Sequence, residues 1–162
     1  MKKIIAVLCI ASSLLGVKAQ NFGKINAMLD RLEERRGLNQ NLDDVAIDGK
    51  TFILIKNFDD HTERQIITFK KDKVNYIEVF DDKSNQTSSS NIFDGDMVRV
   101  KNGQNIISIR ADQLEGKKIP LPLTKTLVLN KQKGILYLID INTKERWIDA
   151  SALKNKSIKN KK

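Results

Sequence analysis

The residues best equipped for chemistry are carboxylates gathered where the chain turns. Asp59-Asp60, Asp81-Asp82 and Asp94-Gly95-Asp96 each offer hard oxygen donors of the kind that calcium prefers. Asp94 and Asp96 flank a glycine, so a tight turn there would aim both carboxylates at one ion. Calcium is thus the one cofactor the chain suggests, although no segment fits the twelve-residue calcium loop, because Lys83 interrupts the acidic spacing. Turns also favour aspartate without any ligand. Paired acids are equally what a glycoside hydrolase needs, but Trp147 is the sole tryptophan and so the sole tryptophan platform for a sugar ring.

Other catalytic sets are poorly supplied. His61 is the only histidine, and Cys9, the only cysteine, falls in the first nineteen residues. A triad or a zinc site would have to be built on His61 with carboxylates, and no nucleophile motif accompanies it. His61 reads instead as a solvated turn residue. The glycines are isolated, with no Gly-x-Gly-x-x-Gly run to cradle a phosphate. The balance favours a non-enzymatic protein, with a hydrolase using paired carboxylates as an alternative.

Residues 1–19 have the form of a secretory signal. Lys2 and Lys3 give a basic start, Ile4 to Val17 is a short apolar run, and Val17-Lys18-Ala19 precedes a cleavage point at Gln20. The run is too short to span a bilayer as a helix. The expectation is an exported, periplasmic or secreted protein without disulfides or a transmembrane segment in its mature form. The net charge of +9 is concentrated at the ends. Three lysines lie within residues 1–19 and five (Lys154, Lys156, Lys159, Lys161 and Lys162) in the last nine, leaving +1 over residues 20–153. A nucleic-acid-binding fold would carry its basic patch on the body. The 154–162 tail reads as a solvated basic end, with its five lysines as candidates for binding an anionic surface.

The elements that must position these groups show two periods. Ile25, Met28, Leu29 and Leu32 line one face of an amphipathic helix over about 23–36, with Asn21 as N-cap and Gly37 as stop. From Thr51 the pattern turns to short runs rich in Ile, Val, Leu and Phe: Thr51–Phe58, Gln65–Lys70, Val74–Phe80, Met97–Lys101, Asn105–Ala111, Thr124–Asn130, Gly134–Ile141 and Glu145–Ile148. Asn102-Gly103 and Lys131–Gly134 mark tight turns. Asp81–Asn91 reads as a mobile polar loop. Gln113–Leu123, with Pro120 and Pro122, reads as an extended connection at an edge. Phe58, Phe80 and Phe93 each precede acidic residues, as buried aromatics closing a strand would. Ile135 to Ile139 is apolar throughout, so that strand should be covered on both faces, one of them by the helix.

These features predict one mainly-β domain over residues 20–153. It would be an antiparallel meander of about eight strands, curved or closed into a barrel, with one N-terminal amphipathic helix; a two-sheet sandwich is the alternative. Arg99, Lys101 and Arg110 sit in strands and would be costly against lipid, which disfavours an outer-membrane barrel. The functional expectation is a binding or interaction module whose partner is an envelope protein or an anionic surface. The strand count and meander order also resemble a lipocalin-like barrel, which implies a small apolar ligand held inside.

Overall fold

Short turns between strands rich in β-branched residues leave each strand next to its sequence neighbour, and the sheet that results closes on itself. In the computed structural model, which describes residues 18–33, 41–101, 103 and 105–154, eight antiparallel strands form a closed meander barrel. They are β1 (Thr51–Asn57), β2 (His61–Lys70), β3 (Lys73–Asp82), β4 (Thr87–Val100), β5 (Ile106–Leu114), β6 (Lys117–Gln132), β7 (Ile135–Asp140) and β8 (Arg146–Asp149). Helix α1 (Lys18–Glu33) precedes them and the short α2 (Ala150–Lys154) follows.

Closure depends on a short seam. β8 meets β1 only through Phe52↔Asp149 and Ile53↔Ile148, whereas β2 and β3 pair over ten residues. Both helices lie across β1 and β8. Phe22, Ile25 and Leu29 of α1 and Leu153 of α2 are buried, on the same side as the outward-facing Ile53 and Ile148. Asn21 Nδ2 donates to Leu153 O at 3.4 Å, joining the helices. Asn21 is therefore inside α1 rather than its N-cap, because the helix already runs from Lys18. The predicted stripe is retained in Ile25 and Leu29, with Met28 half-buried and Phe22 added. Gly37 lies outside the described residues. The main seat of α1 is one strand further round than β7. Tyr137 on β7 is nevertheless fully buried, with the Arg146 guanidinium 5.4 Å from its ring centre.

Arg146 also sets the barrel's inside and outside. Its Nη1 donates to Asn26 Oδ1 at 2.5 Å and Asp30 Oδ1 at 2.8 Å on α1, so it faces out. Trp147, the next residue, faces in. Strand registers carry this parity round the sheet. Phe52, Ile67, Phe69, Val74, Met97, Ile107, Leu127, Leu129, Leu136 and Leu138 fill the lower interior, all buried. The base is sealed by residues 41–50, where Leu42 and Ile47 are buried. Arg99 donates to Val45 O and Leu42 O at 2.5 and 2.7 Å, while Asn105 donates to Asp43 at 2.9 Å.

Two segments expected to be loops are strand. Asp81–Asn91 is a hairpin. The Asp82 carboxylate accepts from the backbone N–H of Ser84 and Asn85, which shapes the turn, and β4 begins at Thr87. Polar residues suffice there because this end of the sheet meets water on both faces. Gln113–Leu123 is also a hairpin. Glu115 and Gly116 both take positive φ (51° and 77°), as a two-residue type I′ turn requires. β6 then runs through Pro120 and Pro122. Thr126 O accepts from Ile141 N on the β7 side. Pro120 and Pro122 fall between Lys118 and Leu123, where β6 has no register partner on β5 and lies beyond the end of β7, so their missing N–H groups cost no rung.

The long strands β4, β5 and β6 bend at register shifts beside Gly95 and Ala111. A Cβ on Gly95 would lie 2.1 Å from Arg110 O and 2.4 Å from Ala111 Cα. Only glycine allows this approach. Gly95→Ala is expected to lower stability by about 2–3 kcal/mol, measured by urea denaturation; an unchanged midpoint would contradict the close contact.

Candidate functional site

The same alternation that fills the lower barrel with aliphatic residues carries polar ones into its upper end. On β2, β3 and β4 the inward residues form rows across the strands: Glu63, Phe80 and Ser89, then Gln65, Glu78 and Asn91, then Ile67, Tyr76 and Phe93. Facing side chains in a row start ~5 Å apart, and the rows are ~7 Å apart along the strands. Glu63, Gln65, Glu78, Phe80, Ser89 and Asn91, with Arg64, Val79 and Ser90 between them on the same strands, line a cleft of about 220 Å³.

Lys125 of β6 reaches into the interior. Its Nζ is 5.4 Å from the ring centre of Tyr76 on β3 and 5.1 Å from that of Trp147 on β8, strands that do not adjoin β6. Asp140 on β7 lies 3.9 Å from it. Asp140 Oδ1 also accepts from the N–H of Asn142 and Thr143, which orders the β7–β8 turn. At the mouth Lys56, near the end of β1, pairs with Glu145, which leads into the adjoining β8. Tyr76 Oη donates to Glu78 at 3.0 Å. Gln65 Oε1 and the Trp147 indole N–H are buried without a hydrogen-bond partner among the described residues. A buried acceptor left in this way costs ~1–3 kcal/mol.

At the rim His61 is stacked between Phe58 and Phe80, with ring centres 4.4 and 4.7 Å away. Its Nδ1 donates to Asp60 at 2.6 Å, and its Nε2 is 3.5 Å from Glu63. The hydrogen bond from His61 holds the Asp60 carboxyl below its ordinary range. His61 is thus a sandwiched ring rather than a solvated one. Phe58 and Phe80 are exposed (43% and 42%) instead of buried, because they stand on the rim and stack on it. Phe93 is half-buried beside Tyr76.

The acidic turns are dispersed. Asp94 accepts from Asn75 at 2.9 Å and Asp96 pairs with Lys73, each opposite its partner in the β3–β4 register. The pair sits in mid-strand rather than in a turn. Asp81 holds Arg64 through two bonds of 2.9 Å on the outer wall. Among the described residues no group of three or more His, Cys, Asp or Glu side chains gathers as a metal site. Lys154 is the exposed end of α2, and Lys156, Lys159, Lys161 and Lys162 lie outside the described residues. No described helix is long and apolar enough to cross a membrane.

Sequence reasoning missed the inward set of Gln65, Tyr76, Glu78, Lys125 and Asp140. A signal was present: Lys125 shares strand parity with Leu127 and Leu129, and Glu78 with Tyr76 and Val74. Reading it required the register.

Fold and site together define a class: a closed eight-strand meander barrel with an apolar, plugged base and a polar mouth. Compared with protein-family models, curated proteins and solved structures, the chain matches none.

Burial, then Glu78, then the charges of Glu145 and Asp140 raise the Tyr76 phenol above its ordinary value, which is ~10. Above that pH the unfolded chain loses a proton that the native state keeps, so this contribution to stability is intact below it and declines as pH rises. In a Tyr137→Phe variant, phenolate absorbance should arise only as the fold is lost. Ionisation near pH ~10 in the native state would contradict the buried Tyr76–Glu78 contact.

Proposed function

We propose that this is an exported, non-enzymatic binding barrel that takes a small ligand at its polar mouth. The observation that carries the reading is the cleft on β2–β4. There the buried Gln65 Oε1 lacks a donor, next to the carboxylates of Glu63 and Glu78. Turned into the cleft, that amide would accept from a ligand bearing a donor, and ligand sites commonly join a few convergent polar groups to an apolar wall, here Phe80.

A binding role agrees with how the mouth's charges are held. Lys56 is matched to Glu145 and Lys125 to Asp140, while His61 spans Asp60 and Glu63. An apolar ligand of the lipocalin-like kind would compete with Phe52, Phe69, Leu127 and Leu138, which already occupy the lower barrel. Export rests on residues 1–19. Cleavage before Gln20 would spare Phe22, Ile25 and Leu29, the buried face of α1.

Two measurements test the proposal. A fragment screen by protein-observed NMR should shift the amides of Gln65, Glu78 and Asn91 together. Shifts confined to other surfaces, or none, would reject the mouth as the site. For export, the mass of the protein recovered outside the cytoplasm should correspond to a chain beginning at Gln20; retention of residues 1–19 in that product would reject processing there.

A further inference from the structure

The chemistry of the cleft specifies the charge of what it binds. Its side chains supply mainly acceptors: the carboxylates of Glu63 and Glu78 and the unpartnered Gln65 Oε1, with the Ser89 hydroxyl and the Asn91 amide able to add oxygen acceptors. The cations nearest in the fold are committed elsewhere. Lys56, directly opposite Glu63 in the β1–β2 register, is paired with Glu145. Arg64 itself borders the cleft, but its guanidinium is engaged by Asp81 through two hydrogen bonds of 2.9 Å. Among the described residues Glu78 receives a neutral donor, the Tyr76 hydroxyl, and Glu63 has the His61 ring nitrogen beside it, at 3.5 Å. A positive charge placed between the two carboxylates gains charge-assisted hydrogen bonds to both.

The apolar wall points the same way. Phe80 offers an exposed ring at the cleft, and an aromatic face attracts a cation. The barrel already holds one ammonium by this means: Lys125 Nζ sits over Tyr76 and Trp147 with Asp140 beside it. The cleft repeats that combination of ring and carboxylate, with no lysine among the described residues that line it.

We infer that the ligand is a small organic cation bearing N–H donors, a primary ammonium or guanidinium compound, held by Glu63, Glu78 and Gln65 against Phe80. The N–H donors are required because Gln65 Oε1 needs one; a quaternary ammonium has none to give. This inference rests on the mouth being the binding site.

The test separates the two readings by charge at constant shape. Benzylamine, benzyl alcohol and benzoate are titrated into the full-length protein and followed by NMR, with agmatine as the guanidinium probe. Benzylamine or agmatine should shift the Gln65, Glu78 and Asn91 amides, with benzyl alcohol and benzoate at least about tenfold weaker, the scale of one charged hydrogen bond. Glu78→Gln and Glu63→Gln should each weaken the cation by about tenfold or more while leaving the rest of the spectrum native. A preference for benzoate or benzyl alcohol at the same amides would overturn the cation and leave the mouth standing as a site. Cation binding unchanged in both variants would overturn the roles of Glu63 and Glu78. No shift at these amides with any of the four probes would overturn the inference, and the mouth reading would fall only if the wider fragment screen also failed there.

Discussion

The barrel depends on a seam of two residue pairs. Every other neighbouring pair of strands is joined directly by the chain and runs along a longer ladder, but β1 and β8 meet only at Phe52↔Asp149 and Ile53↔Ile148. Without that seam the interior would be one face of an open sheet, wet rather than enclosed. The two helices compensate for its brevity. Both lie across β1 and β8, and Leu29 and Leu153 are completely buried there. Hydrophobic burial at the junction substitutes for hydrogen bonds that a four-residue strand is too short to make. Arg146, reaching from β8 to Asn26 and Asp30, adds a directional tie.

Closure also explains why the polar mouth can exist. A closed sheet fixes which side chains share the interior, and the period of two then places polar residues at the top of the same columns whose lower members are Ile67, Val74 and Leu127. At the base, residues 41–50 and the Arg99 bonds to Leu42 and Val45 keep water out. The interior thus grades from hydrocarbon to charge. Lys125 stands at the boundary, its ammonium held by two rings and by Asp140.

Much of this was legible in the sequence. All eight strands were visible in their apolar centres, and the amphipathic stripe of α1 was right in Ile25 and Leu29. Strand ends were harder. Residues 87–96 and 117–123 carry Ser, Asn, Asp, Lys and Pro, which propensity assigns to loops; pairing with β3 and β5 keeps 87–96 extended, and in 117–123 pairing with β5 holds Lys117, Lys118 and Leu123, with the prolines between them. The candidate site was less legible. Asp94 and Asp96 looked like partners of one ion because a glycine between them suggests a turn, whereas Gly95 serves the close approach of β4 to Arg110 and Ala111. The mouth residues are scattered over six strands, and a single lysine or glutamate among apolar neighbours says nothing about its facing until register and closure are known.

Pro120 and Pro122 have a consequence outside the barrel. The upper part of β6 extends past the end of β7, and such a free margin is ordinarily a template on which another chain can add a strand. The two imino nitrogens carry no N–H, so this stretch offers an incoming strand two fewer donors. Leu121 between them is 83% exposed. A greasy side chain on an open sheet margin would otherwise invite stacking of one molecule on the next. The prolines let the β5–β6 hairpin project into solvent without becoming the start of a fibre.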